Sequence, residues 1–328
     1  SIKNHLKEDQ LLVLESTSYP GTTEEELLSF INKIPNKRDN GNPKFDVGNN
    51  FFIGYSPERE DPGNNEYSIK NIPKIVSGIS KNCLSLTNEL YDKIVDETVP
   101  VSSTKIAEMA KILENIQRAV NIGLMNEMKI ICIDLGIDIF EAIKAASTKP
   151  FGFSEYYPGP GLGGHCIPVD PFYFAWKANK KGIKTEFIKL AADINSKMPD
   201  YVVSKTEELL VEKGMQIKNC NILVLGLSYK KNIDDIRESP SLAIIDLLMK
   251  KDAKVQYSDP YIDFVPETRK YEINLKSINL TSKKIQSFDV IILATDHDEF
   301  DYNKIFKHSK LIIDTKGYFG RSEKICIA

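Results

Sequence analysis

The stretch Pro158-Gly-Pro-Gly-Leu-Gly-Gly-His-Cys-Ile-Pro-Val-Asp-Pro171 puts a thiol, Cys166, where a run of four glycines stops, with the Asp170 carboxylate four residues on. Glycine lets backbone approach a ligand closely, and cysteine attacks only as its thiolate. Taken by itself the string also fits a turn-rich loop around an inert buried cysteine, and both readings stay open. His165 adjoins Cys166, but neighbouring side chains in an extended loop point apart, so it reads as structural. Cys83, Cys132, Cys220 and Cys326 are scattered with no C-x-x-C spacing, which speaks against a zinc site or a disulfide framework. They read as buried thiols. Lys111 and Asn115 stand at i, i+4 and share a face of any helix that carries them, although such a pair is usually solvated surface. Thr17, Glu58, Tyr229 and Lys230 each follow an apolar run, where α/β folds bind ligands. Lys230 and Arg237 are cations suited to phosphate, and an arginine can hold its oxygens in pairs.

The elements around these residues read as follows. Residues 11–14, all apolar, predict a parallel strand covered on both faces. It ends in the loop Glu15-Ser-Thr-Ser-Tyr-Pro-Gly21, before an acidic helix start, Thr22-Thr-Glu-Glu-Glu26, with a threonine as its cap. Residues 36–50 look polar and disordered, and strands are expected at 51–53 and 74–76, with a helix from about 82 to 95. From 103 to about 146 the pattern is helical, and Ile106, Met109, Ala110, Leu113, Ile116, Val120 and Leu124 cover more than one face. Such a helix predicts packing on a second copy of the chain. Residues 150–171 have loop composition, and helices resume from 171 to about 214. Four strands at 220–225, 254–257, 290–293 and 311–313, with a helix at 242–250, make a second α/β unit.

Composition bounds the partners. With 41% hydrophobic residues, 27% charged and a net charge of -3, the chain of 328 residues offers no basic surface for nucleic acid or an anionic membrane. Its apolar runs, such as 222–225 and 290–294, are strand-sized and too short to span a bilayer. The first residues, Ser-Ile-Lys-Asn-His, do not resemble a signal peptide, and a cytoplasmic location is expected.

Longer strings carry a resemblance. Thr148-Lys-Pro-Phe-Gly-Phe153 and the segment from Tyr157 to Tyr173 occur with Glu15-Ser-Thr-Ser-Tyr-Pro-Gly21, Ser56-Pro-Glu-Arg59, Glu108-Met-Ala-Lys-Ile-Leu-Glu-Asn115, Gly226-Leu-Ser-Tyr-Lys230 and Asp235-Ile-Arg-Glu-Ser-Pro240. In this order they resemble the UDP-glucose/GDP-mannose dehydrogenases over essentially the whole chain, and within that family most of all the UDP-N-acetylglucosamine 6-dehydrogenases. The resemblance implies two Rossmann-like α/β domains, the first incomplete, joined by a helical dimerisation region: 1–100, 101–205 and 206–328. It implies NAD, although family members begin with a strand–G-x-G-x-x-G–helix unit and this chain starts after that point, inside the first domain.

The implied reaction oxidises a sugar CH2OH to a carboxylate, for surface polysaccharide synthesis, through a thiohemiacetal and then a thioester on Cys166. Lys111 and Asn115 would lie beside the thiol, the lysine on an oxyanion and Asn115 on a water or substrate hydroxyl. Asp170 and Glu58 are the carboxylates available for proton transfer. Thr17 would sit near the nicotinamide, with Glu58 and Arg237 also on the cofactor, while Tyr157, Gly163, Tyr229 and Lys230 would hold the nucleotide-sugar. UDP-glucose, UDP-N-acetylmannosamine and GDP-mannose are the rival substrates. A non-catalytic, nucleotide-sugar-binding dimer is the rival of another class, and a cysteine hydrolase lacks a separate histidine in a supporting motif.

Overall fold

The structure is a computed structural model that describes residues 2–34, 45–61, 63–64 and 66–328. The chain divides into two compact units, Ser1–Gln117 with Asp170–Lys184, and Arg118–Val169 with Thr185–Ala328. Along the chain run β1 (Gln10–Leu14), a π-helical stretch (Thr22–Leu28) continuing into α1 (Ser29–Asn32), β2 (Phe51–Tyr55), β3 (Lys74–Gly78), α2 (Lys81–Tyr91) and β4 (Thr98–Pro100). Four helices follow: α3 (Thr104–Asp134), α4 (Ile139–Ser147), α5 (Cys166–Asn179) and α6 (Glu186–Glu212). The rest is β5 (Asn221–Leu225), α7 (Pro240–Lys250), β6 (Lys254–Ser258), α8 (Ser282–Gln286), β7 (Val290–Leu293), α9 (Tyr302–His308), β8 (Ile312–Asp314) and β9 (Ile325–Ile327).

In the first unit the sheet order is β1-β2-β3-β4, with β1 parallel to β2 and β3 antiparallel to it. The expected double cover of β1 does not hold. It pairs on one side only among the described residues, and all five of its residues are half-buried, whereas Phe51, Ile53 and Tyr55 of β2 are fully buried. An apolar run reports burial without saying on how many faces. Thr22 is not a cap either: its hydroxyl donates back to the Tyr19 carbonyl at 2.6 Å, and Gly21 holds the N-cap position. Of the segment expected to be disordered, 36–44 lie outside the described residues, and 45–50 form a turn in which the N–H groups of Asn49 and Asn50 donate to the Asp46 carbonyl, both at 3.0 Å.

Helix α3 has two dissimilar faces. Thr104, Glu108, Lys111, Asn115, Asn126 and Lys129 recur at helical spacing along one side, each buried except half-buried Lys111. Exposed Ile106, Leu113, Leu124 and Ile131 line the opposite side. Gly136, at φ 70, ends the helix in the left-handed conformation that a side chain resists, and Ile137 N–H closes onto the Cys132 carbonyl at 2.8 Å. Asp138 then caps α4 through Phe140 and Glu141 N–H at 2.9 and 3.2 Å.

Helix α5 starts at Cys166, five residues before the loop was expected to end at Pro171. Pro168 lies in the first turn, where its missing N–H has no partner to lose, and Pro171 removes one internal bond. The extended-loop reason for setting His165 aside therefore fails, since a helix begins at the next residue.

The second unit holds a fully parallel sheet of order β6-β5-β7-β8-β9. The four expected strands are there, and β9 was not foreseen because Ile325–Ile327 is too short to show a period. Residues 222–225 and 290–293 are all buried, as parallel strands covered on both faces must be. The order reverses between β5 and β7, and the loops after their C-terminal ends form the crevice where such sheets bind ligands.

Candidate active site

In the first unit, the parallel register of β1 and β2 sets their terminal loops side by side: Ser56 N–H donates to the Leu14 carbonyl at 3.1 Å and Glu58 N–H to that of Glu15 at 3.3 Å. Glu58 Oε1 accepts from Arg59 and Glu60 N–H, both at 2.8 Å, and its Oε2 lies 3.1 Å from Lys74 Nζ. Burial pushes its carboxyl up, but those amides and Lys74 outweigh burial and hold it below the usual carboxylate range. A carboxyl so held keeps a charge in place more readily than it carries a proton. Lys74, whose side chain is only 7% exposed, also reaches Glu15 at 3.5 Å, and the Tyr91 hydroxyl donates to Glu15 at 2.6 Å. Thr17 is half-buried in the first of these loops. Beside it, the buried Ser18 Oγ and Tyr55 hydroxyl face each other, with no other hydrogen-bond partner among the described residues.

The polar face of α3 meets this loop. Glu108 accepts from Gly21 N–H at 2.5 Å, from Thr23 N–H at 2.8 Å and from Thr23 Oγ1 at 2.7 Å, so its carboxylate supplies the helix cap that Thr22 does not. Burial still raises its carboxyl above the ordinary range. Two turns on, Asn115 Nδ2 donates to Asp170 Oδ2 at 2.8 Å, with both residues no more than 3% exposed. Lys111 is half-buried on the same face.

In the second unit, Cys166 is solvent-exposed at the N-terminal end of α5. That places its sulfur at the positive end of a helix dipole, a setting that suits an anion. The approach to it is pinned to the segment after β5: Gly164 N–H donates to the Arg237 carbonyl at 2.8 Å. A Cβ on Gly163 would lie 2.4 Å from Tyr229 Cβ, so only glycine fits there. Tyr229 and Lys230 are half-buried at the reversal of strand order, and the Lys230 carbonyl accepts from Ser228 Oγ at 2.8 Å. Arg237 is paired with Asp235, Nε to Oδ2 at 2.9 Å and a terminal nitrogen to the same oxygen at 2.6 Å. That pairing, and more weakly the field of Cys166, raises the guanidinium further, while partial burial opposes. Tyr157 is exposed, donates to Glu155 and stacks on Phe140 with ring centres 6.4 Å apart.

The structure thus joins Asn115 to Asp170, puts Lys111 on their helix face, and groups Cys166 with Gly163, Tyr229 and Arg237. Thr17 and Glu58 stand at strand ends. Lys74, Glu108 and the pair Asp259–His297 escaped the sequence reading. Asp259 Oδ2 accepts from Leu227 and Ser228 N–H at 2.6 and 3.2 Å and meets His297 Nε2 at 3.0 Å, while His297 Nδ1 accepts from Asn232 N–H at 3.0 Å. The backbone of the Gly226–Lys230 loop is fixed by these bonds. Glu108 stood inside a recognised string and Asp259 at a strand end; no local pattern marked Lys74 or His297.

Three models of the UDP-glucose/GDP-mannose dehydrogenase family match the chain: the NAD binding domain at residues 1–95, the central domain at 105–197 and the UDP binding domain at 223–321. Protein CapL of Staphylococcus aureus is 35% identical over 321 residues, covering 96% of this chain and 72% of that protein. This chain belongs to the UDP-glucose/GDP-mannose dehydrogenase family. The UDP-N-acetyl-D-glucosamine 6-dehydrogenase of Pseudomonas aeruginosa is likewise 35% identical over 323 residues, 96% of this chain and 73% of that one. Among solved structures, a UDP-D-ManNAc dehydrogenase from Pyrococcus horikoshii superposes with a TM-score of 0.80 at 29% identity, over 96% of this chain and 71% of that one.

The family's cofactor is NAD, and the first unit fits a part of it. Parallel strands end in adjacent loops that carry hydroxyls and carboxylates, among them Thr17, Ser18 and Glu58. The UDP binding domain makes the substrate a nucleotide-sugar. No helix among the described residues is long and apolar enough to cross a membrane.

Proposed function

We propose that the chain oxidises the CH2OH of UDP-N-acetylglucosamine to the carboxylate in two hydride transfers, with Cys166 holding the carbon between them. The observation that carries this is the buried Asn115–Asp170 hydrogen bond, with Cys166 exposed one helical turn before Asp170 on α5. NAD supplies the hydride acceptor for each transfer. The first leaves an aldehyde; the Cys166 thiolate adds to its carbon and the oxygen takes a proton, giving a thiohemiacetal. The second converts this to a thioester, and water releases the acid and the thiol.

Lys111 balances the developing oxyanion, Asn115 and Asp170 orient the water, and Asp170 takes its proton. Thr17, Glu58 and Arg237 bind the cofactor, Glu58 as a fixed negative charge. Tyr157, Gly163, Tyr229 and Lys230 hold the nucleotide-sugar. The parts are a cofactor domain at 1–100, a helical region at 101–205 that pairs two copies through the apolar face of α3, and a UDP-sugar domain at 206–328, in a cytoplasmic enzyme serving surface polysaccharide synthesis.

UDP-N-acetylmannosamine is the second reading, favoured by the likeness to the Pyrococcus horikoshii structure. Turnover with each sugar nucleotide decides between them. The proposal expects two NADH per acid formed and a kcat/KM for UDP-N-acetylglucosamine about 10- to 200-fold above that for UDP-glucose. A higher kcat/KM for the mannosamine compound would move the assignment to that substrate.

A further inference from the structure

Gly159, the first glycine of the loop leading to Cys166, is held at both of its backbone polar groups from one turn of α3. Its N–H donates to Asn126 Oδ1 at 2.9 Å, and its carbonyl accepts from Lys129 Nζ at 3.1 Å. Both side chains are fully buried and lie on the helix face that carries Lys111 and Asn115. The amide of Asn126 is itself oriented, because its Nδ2 donates to Asn195 Oδ1 at 2.8 Å and Asn195 Nδ2 donates to the Ala119 carbonyl at 3.1 Å.

Lys129 is the unusual member. Its second acceptor is a main-chain oxygen of Ala328 at 2.7 Å, the Tyr201 ring lies 6.0 Å away, and no Asp or Glu side chain is within ion-pair distance of it among the described residues. Burial, helped by Lys316 and opposed by Asp314, pushes its ammonium down to about 7. A methionine would fill such a space without stripping a charge of water, so the cost of this lysine is met by what it holds. Five residues on, Gly164 N–H is fixed to the Arg237 carbonyl, and Cys166 follows two residues later. Residues 159–163 have no helix or strand of their own, and Gly159 is their upstream anchor.

We propose that Asn126 and Lys129 are positioning residues: by gripping Gly159 they set the path of residues 159–164 and so the place at which Cys166 meets the sugar carbon. This rests on the reading of Cys166 as the nucleophile. A displacement of about 1 Å at a reacting atom can cost on the order of a hundredfold in rate, so a loose anchor would show in turnover before cofactor binding.

The test uses the full-length enzyme with Lys129→Met, Asn126→Leu and, as a control of similar thermal destabilisation, Leu248→Ala in the core of the second unit. Each is read by kcat, by KM for NAD, and by the rate at which iodoacetamide alkylates Cys166, followed by peptide mass spectrometry. Lys129→Met and Asn126→Leu should each lower kcat about tenfold or more and shift the alkylation rate by about fivefold, with KM for NAD within about twofold, while Leu248→Ala leaves all three nearly unchanged. Wild-type kcat and alkylation in folded Lys129→Met, or the same losses in Leu248→Ala, would overturn the proposal. If neither loop variant folds, hydrogen exchange on the wild-type protein decides: a Gly159 amide as slow as the sheet core supports the grip, and one as fast as an exposed loop refutes it. Alkylation reports the loop whether or not Cys166 is catalytic, so failure of the grip and failure of the Cys166 reading are told apart.

Discussion

Lys111 is the residue through which charge enters the proposed chemistry. It is half-buried on the face of α3 that carries Glu108 and Asn115, whereas Lys74, the cation of β3, is committed to Glu15 and Glu58. Lys111→Ala should lower kcat by a factor corresponding to about 3–4 kcal/mol, with folding stability little changed, as for other lost oxyanion donors. Steady-state kinetics beside thermal melts check this, and an unchanged kcat would remove Lys111 from the site. At this scale the sequence showed residue types and failed on partners. Asp170 and Asn115 could be named from their strings, but a bond between residues 55 positions apart could not. Glu58 could be named too, yet the two backbone amides and the Lys74 ammonium that hold its charge come from the turn of the backbone and from a strand that runs antiparallel to its neighbour.

Among the elements, the loop after β5 depends on a buried carboxylate. Burial pushes Asp259 up, but His297 and the N–H groups of Leu227 and Tyr261 outweigh it, so its folded value lies below the ordinary one. A depressed carboxyl contributes stability above its unfolded value of about 3.9 and loses it as the pH falls through the lower folded value. The difference in unfolding free energy between wild type and Asp259→Asn, read from urea melts, should therefore be largest near neutrality, about 1–3 kcal/mol, and shrink as the pH drops below about 4. A difference that is flat from neutral to acid pH would show that the charge is not what holds the loop. Long, strongly patterned elements such as α3 and the central strands of the second sheet were legible because period and apolar content report burial directly. The start of α5 was not, since Pro168 and Pro171 look like breakers, whereas Pro168 falls in the first turn, where its missing N–H is harmless, and Pro171 removes only one internal bond.

At the scale of the whole molecule, α3 leaves Ile106, Leu113, Leu124 and Ile131 exposed along one side, opposite Glu108, Lys111 and Asn115. A stripe of that kind is costly in water, and pairing two copies along it would bury it. Sedimentation at micromolar concentration should give a dimer, and Leu113→Glu with Leu124→Glu should give a folded monomer. A wild-type monomer would contradict the pairing. The two α/β parts and the helical stretch between them were legible from alternating apolar runs and loop composition. The strand order of each sheet was not, because it depends on which segments meet across the chain.

The covalent step on Cys166 is the centre of the account, and intact-protein mass spectrometry of the full-length enzyme during turnover tests it most directly. With Cys166→Ala, acid formation should fall by several orders of magnitude while nucleotide-sugar binding persists. With Cys166→Ser, the weaker nucleophile gives an ester that hydrolyses more slowly than a thioester, and a mass increase equal to the acylated nucleotide-sugar should accumulate on the protein. Near-normal acid formation by Cys166→Ala would show that the aldehyde is oxidised as its hydrate with no bond to the protein, and would contradict the account.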